Sequence, residues 1–293
     1  MAIALPGAMQ VDATMWAVFG AIVAVSLIVD LVTHRGGHAS GRGAALVWTG
    51  VWISVALAFA AWIGVRLGRE QAEDFLSAYL MEKSLSIDNL FVFLVVFERL
   101  RVKPADQHRV LFWGILGALV FRGIFIAAGT AVISRWHEVL YVLGVLLVVT
   151  GVNTLRAHDA SDRDSRILRF VRTTLGLRST FLVALLTIEL TDILFAIDSV
   201  PAVFAISDDP FIIYTSNVFA ILGLRALFLV LAGALTRLHH LKYALAAILV
   251  LAGVKMLVSG FYHPPHYVSL LSIAVIIGVT VITSLVSRPR LKV

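Results

Sequence analysis

Nine apolar runs, at 15–33, 44–65, 75–97, 110–133, 139–155, 181–206, 211–235, 243–260 and 267–286, take up most of this 293-residue chain. Each is close to the roughly 20 residues a helix needs to cross a bilayer. Within hydrocarbon, a segment has to satisfy its own backbone N–H and C=O groups, so such runs fold as helices. The expected fold is an all-α polytopic membrane protein, with about nine transmembrane helices in a single membrane domain over 1–293. The chain is 60% hydrophobic and 14% charged, whereas a soluble domain is about 45–50% apolar and about a quarter charged. The first basic residue, Arg35, follows the first run, which is the reverse of a signal peptide.

The net charge of +6 invites a nucleic-acid reading, but the position of the bases argues against one. Of 24 Lys and Arg residues, seventeen lie in one alternating set of loops, around Arg35, Arg99–Arg109, Arg156–Arg178, Arg237 and Arg288–Lys292. The opposite set has only Arg66, Arg69 and Arg135. Basic loops stay in the cytoplasm, so the N-terminus is expected outside and the C-terminus inside. The one sizeable polar segment, about 156–180, carries Ile167, Phe170, Val171 and Leu175 at helical spacing among arginines. A short helix on the inner leaflet is expected there.

The chain also resembles itself. Tyr141–Asn153 matches Tyr243–Lys255 at an offset of 102, and the surroundings of Arg122 match those of Arg225 at 103. Upstream, Glu82 and Asp88 match Asp192 and Asp198 at 110. The repeat unit is three runs long, covering about 75–155 and again about 181–260. An odd number of crossings forces the second copy to enter from the opposite side. An inverted 3+3 repeat is the architecture of many secondary transporters, whose sites lie near the midplane between the halves.

Ten ionisable residues fall within the apolar runs: Asp30, Glu82, Lys83, Asp88, Arg122, Glu189, Asp192, Asp198, Arg225 and Lys255. On insertion scales each costs about 2.5–3.5 kcal/mol at a helix centre, so such residues are expected to face one another or a cavity. Six acids against four bases leave a formal −2, which a divalent cation or two protons would neutralise. Carboxylates, with Ser86, Asn89, Ser199 and Asn217 as neutral oxygens, form a hard ligand set suited to Mg²⁺, Ca²⁺ or Mn²⁺. There is no cysteine, and all nine histidines fall in loops or at run ends, which disfavours softer metals. The expected metal residues are Glu82, Asp88, Asn89, Glu189, Asp192 and Asp198. Lys83, Arg122, Arg225 and Lys255 read as charge compensators, and Asp30 as a ligand or a partner of a buried base. Glu82, Ser86 and Asn89 share a helix face. Pro201 is expected to break or kink its helix beside Asp198, freeing the Ile197 carbonyl. The pair His263 and His266 reads as a solvated turn.

The blocks Tyr79-Leu-Met-Glu-Lys-Ser-Leu-Ser-Ile-Asp-Asn-Leu-Phe-Val-Phe93 and Glu189-Leu-Thr-Asp-Ile-Leu-Phe-Ala-Ile-Asp-Ser-Val-Pro-Ala-Val-Phe204 resemble the two signatures of the TerC family. Asp209–Arg225 and the Leu-Lys-Tyr at 241–243 extend the likeness, which is greatest to the Alx branch. The resemblance implies a bacterial inner-membrane transporter related to the LysE type, with Mn²⁺ export as its activity. It also implies a metal pathway through Glu82, Asp88, Asn89, Glu189, Asp192 and Asp198. Partners are then Mn²⁺, the bilayer and protons, with no cofactor and no enzymatic activity. An intramembrane aspartyl protease using Asp88 and Asp198, or a membrane sensor or scaffold acting through 156–180, are the alternatives. No GxxxxGK[ST] motif offers direct ATP use.

Overall fold

The computed structural model describes residues 11–33, 42–136, 138–156, 171, 179–231, 241–261 and 265–286. Ten helices occupy them: α1 (Ala13–Thr33), α2 (Arg42–Arg66), α3 (Arg69–Arg99), α4 (Pro104–Arg135), α5 (Val139–Arg156), α6 (Thr180–Phe204), α7 (Pro210–Leu222), α8 (Leu224–Leu231), α9 (Leu241–Val258) and α10 (His266–Val286). No strand occurs among the described residues. Five segments are long and apolar enough to cross a membrane: 43–66, 106–135, 180–204, 210–230 and 266–284. Shorter apolar helices at 13–29 and 139–155 accompany them. The protein is a helical, multi-pass membrane protein. Residue 171 aside, positions 157–178 of the expected surface helix in 156–180 lie outside the described residues.

Local chemistry sets several helix starts. Asp12 accepts from the Met15 amide at 2.8 Å and starts α1. Asp209 does the same for α7 through Phe211 N at 2.8 Å, with Pro210 in the first turn, where a missing N–H is harmless. Pro104 likewise opens α4. Between α2 and α3 the chain reverses at Gly68, whose φ of 105° is open to glycine and costly for other residues.

Two apolar cores flank the middle of the bundle. The first gathers Phe19 of α1, Phe59 of α2, Phe75 of α3, and Phe211 and Phe219 of α7, with the Phe59 and Phe219 rings 4.6 Å apart. The second joins Leu147 of α5, Ala196 and Val203 of α6, and Ile248 and Met256 of α9. Between them, α3 packs on α7 and α4 on α6, while α5 and α9 form the closest helix pair. That closeness comes from glycine: a Cβ on Gly253 would lie 2.6 Å from Gly144 O, and one on Gly151 would lie 2.9 Å from Ala246 O. Small residues let backbones meet in this way inside membranes. Of the apolar 210–230 segment, 83% is buried within the protein, against 17% for 266–284. The first is therefore an interior element, whereas α10 turns most of its surface outward.

α6 runs through Pro201 to Phe204, so the proline does not break the helix, although it offers the Ile197 carbonyl no amide donor. Pro201 stands only three residues from that end, where the loss of one N–H donor disturbs little helix. The seventh apolar run, expected over 211–235, is one membrane-length segment at 210–230 with a one-residue irregularity at Gly223 between α7 and α8. A Cβ on Gly223 would lie 2.7 Å from Lys83 Nζ and 3.2 Å from Trp52 Cβ, so the glycine makes room for both.

Candidate functional site in the bundle centre

Arg122, on α4, is the hub of the buried polar network. It is 1% exposed, and its guanidinium reaches three helices. Nη1 donates to Glu82 Oε1 of α3 and, at 2.7 Å, to Asn217 Oδ1 of α7. Nη2 donates to Asp192 Oδ1 of α6 at 3.3 Å. Two further donors complete the first oxygens of these acids. Ser86 Oγ donates to Glu82 Oε1 at 3.4 Å, and Asn89 Nδ2 to Asp192 Oδ1 at 3.3 Å. Asn217 is oriented by its own Nδ2, which donates to Ile213 O at 3.0 Å.

Glu82, Ser86 and Asn89 do share one face of α3, as their i, i+4, i+7 spacing requires. That face brings Glu82 and Asn89 to the centre, and Asp192 meets them from α6. All three are buried. Glu189, one turn before Asp192, is half-buried and lies against Gly117 of α4. A Cβ on Gly117 would come within 2.1 Å of Glu189 Oε1, so this glycine is what admits the carboxylate.

The second oxygens of these acids are the distinctive feature. Among the described residues, Glu82 Oε2, Asp192 Oδ2 and Glu189 Oε2 are buried and accept no hydrogen bond, and the Ser199 hydroxyl likewise has no partner. A buried acceptor without a donor carries an appreciable desolvation cost, which a cation or a proton would relieve. Glu82 and Asp192 thus each have one oxygen committed within the protein and one open to a ligand.

Of the expected metal residues, Glu82, Asn89 and Asp192 meet directly at Arg122, and Glu189 lies one turn away. No three His, Asp or Glu side chains among the described residues sit close enough together to hold a metal by themselves. The side chains of Asp88 and Asp198 lie outside the described residues, as does that of Asp30, although their backbones belong to α3, α6 and α1. The expected compensators take up definite posts. Arg122 joins α4 to α3, α6 and α7. Lys83 Nζ donates to Ala220 O of α7 at 3.0 Å, beside the Gly223 break. Lys255 Nζ donates to Ser269 Oγ of α10 at 3.0 Å, and Arg225 is buried at the start of α8.

A second polar cluster lies at the end of the bundle where α3 begins. His266 Nδ1 pairs with Asp74 Oδ1 at 2.5 Å, and Nε2 is 4.0 Å from Glu70 Oε2. The sequence reading as a solvated turn is therefore corrected for His266, which binds a carboxylate that is itself 5% exposed; His263 is outside the described residues. Burial pushes the Asp74 carboxyl above the ordinary carboxylate value, while the His266 hydrogen bond and charge, the Lys255 charge and the Ser207 hydroxyl pull it back. Asp74 precedes the apolar run 75–97 by one residue, and an inventory restricted to acids within runs passes over it. Its spacing of four from Glu70 was the available signal.

Comparison with known proteins agrees with this architecture. The model for the integral membrane protein TerC family matches residues 67–292. An "Uncharacterized membrane protein STKORF319" of Myxococcus xanthus is 43% identical over 293 residues, covering 93% of this chain and 92% of its own. A protein of Escherichia coli K12 called "Putative membrane-bound redox modulator Alx" is 40% identical over 303 residues, covering 93% of this chain and 94% of its own. A membrane protein of Rickettsia felis is 33% identical over 294 residues, with 93% and 98% covered. No solved structure matches the chain. The family model and the relatives together show that this chain belongs to the TerC family of integral membrane proteins.

Proposed function

We propose that this protein is a secondary transporter that exports a hard divalent cation, Mn²⁺ foremost, across the bacterial inner membrane. One observation carries the reading. Glu82 and Asp192 are 110 residues apart and equivalent in the sequence repeat, yet they converge on one buried guanidinium with an open oxygen each. Two acids held at the junction of two repeats suit a cation site at a transporter midplane. The oxygen-only chemistry suits Mn²⁺ over softer ions. The Mn²⁺ preference itself rests on the resemblance of the signatures.

The helix packing supports an inverted pair of repeats. Gly151 of α5 lies against Ala246 and Val250 of α9, and Gly253 of α9 lies against Gly144 and Val148 of α5. Adding the offset of 102 to the α5 positions turns one contact into the other. The pairing of α3 with α7 and of α4 with α6 also maps onto itself when the halves are exchanged. In this reading about nine spans cross the membrane, with the N-terminus outside and the C-terminus in the cytoplasm. Alternating access carries the ion outward. Protons compete for the same carboxylates and supply a natural driving force, because metal binding displaces them. The Alx relatives carry redox modulation in their name; this chain has no cysteine and so no thiol couple of its own.

The test is transport by purified protein in liposomes under an Mn²⁺ gradient. Wild type is expected to move Mn²⁺, and Asp88→Asn and Asp198→Asn to be folded but inert. Full activity in both variants removes those acids from the site. A wild type that moves no divalent ion at all defeats the transport reading.

A further inference from the structure

We propose that Arg122 is an internal stand-in for the transported cation: its guanidinium holds Glu82 and Asp192 while no metal is bound and gives them up when one enters. The inference rests on the transport reading and adds the step by which the empty protein resets. It begins with the chemistry of the hub. A guanidinium does not lose its proton in a protein, so Arg122 stays charged in the bundle centre and needs anions beside it. The structure supplies them from two different helices, Glu82 on α3 and Asp192 on α6, with the Asn217 carbonyl oxygen as a third acceptor.

The charges then limit which states are allowed. Glu82 and Asp192 present a formal −2, which Arg122 reduces to −1. A divalent ion on the same pair, with Arg122 still in place, would give three positive charges against two negative ones within a few ångströms and little water. Repulsion at low effective dielectric makes that combination unfavourable. The guanidinium and the metal are therefore alternatives. With neither present, two buried carboxylates would face each other unpaired, the worst state for a helix bundle that must change conformation.

The geometry also provides somewhere for Arg122 to go. A side chain on a helix leans toward the helix N-terminus, which on α4 is the direction of Gly117. Glu189 lies against Gly117 with its Oε2 unpartnered among the described residues. Since Glu189 is one turn from Asp192 on α6, a short swing passes the guanidinium from Asp192 to Glu189. The metal then takes the open oxygens of Glu82 and Asp192, and release of the metal brings Arg122 back.

Two liposome assays with radiolabelled Mn²⁺ test this. Exchange of Mn²⁺ for Mn²⁺ uses only the loaded protein, whereas net transport also requires the empty protein to return. Arg122→Gln is expected to bind Mn²⁺ more tightly, and its ratio of net transport to exchange to fall at least about tenfold as the empty return state is disfavoured. Arg122→Lys keeps a cation but cannot bridge both acids with two nitrogens, and is expected to give an intermediate ratio; it decides the matter if Arg122→Gln does not fold. A wild-type ratio in whichever variant folds overturns the proposal, as does loss of Mn²⁺ binding in Arg122→Gln. A wild type with neither exchange nor net transport overturns the transport reading instead.

Discussion

At the centre of the bundle two carboxylates meet an arginine, and at the end where α3 begins a carboxylate meets a histidine. The first cluster, Glu82, Asp192 and Arg122, is sealed, with the arginine 1% exposed. The second, Asp74 with His266, keeps a side-chain exposure of 39% on the histidine. Both join helices distant in sequence, but they answer to different stimuli. Arginine holds its proton at any ordinary pH, so only a competing cation or a change in the acids can open the centre. Burial raises the Asp74 carboxyl and His266 opposes that rise, so the end cluster responds to protons. The centre joins α3, α4 and α6, whereas the end cluster ties α10 to α3.

The largest effect separating the two regions is expected at Glu82. Glu82→Gln removes one of the two anions facing a guanidinium that cannot discharge. Removing one partner of a buried pair costs about 3–5 kcal/mol. Thermal unfolding in detergent is expected to show a loss of that order, and the loss is expected to be nearly constant between about pH 5 and 9 because Arg122 does not titrate there. A penalty that disappears within this range would mean that Arg122 is not what Glu82 balances.

His266→Ala is expected to act more mildly and with a marked pH dependence. The charged hydrogen bond to Asp74 is of a kind worth about 1.5–3 kcal/mol, reduced here because the imidazole is partly exposed. Burial already raises the Asp74 carboxyl, and His266 opposes that rise, so the variant raises it further. A carboxyl raised in the folded state weakens stability as pH climbs through its titration, because the folded form then holds the extra proton. The variant is therefore expected to differ least from wild type at acid pH, where Asp74 is protonated, and more as Asp74 ionises. Unfolding midpoints compared across pH test this; a difference that shrinks as pH rises through the Asp74 titration contradicts the pairing.

The contrast also explains what the sequence could reveal. Apolar runs located the helices well, since length and hydropathy are local properties. α3 and α4 start six residues earlier than their runs, at Arg69 and Pro104, because polar first turns do not register as apolar. Arg122 was recognisable as a compensator, because an interior base needs an acid. Its partners were not, since Glu82 and Asp192 lie 40 and 70 residues away and only the packing of α3, α4 and α6 chooses them. Pro201 drew attention as the expected break or kink and does not break α6, whereas α7 and α8 are separated at Gly223, where Lys83 and Trp52 crowd the backbone. Chain position of a proline is visible in a sequence, whereas close approach of a distant side chain is not. The pairing of Asp74 with His266 escaped notice for the same reason, the two being 192 residues apart.

The smallest expected effect refines the account of the end cluster. Lys255 Nζ donates to Ser269 Oγ at 3.0 Å, so α9 is tied to α10 beside Asp74. Ser269→Ala removes one acceptor but leaves Lys255 with its charge and with Asp74 and Asp208 as nearby anions. A single hydrogen bond is worth about 0.5–1.5 kcal/mol net, and the lysine can reorient toward those anions. The loss is therefore expected at or below the lower end of that range in thermal unfolding, with little pH dependence of its own. Combining Ser269→Ala with His266→Ala tests whether α10 is held by one cluster or by two independent contacts. Residues in one network couple by about 0.5–3 kcal/mol in a double-mutant cycle. Simple additivity would separate the serine contact from the histidine pair and confine pH sensitivity to the Asp74 carboxyl, whereas strong coupling would make Lys255 part of the same network.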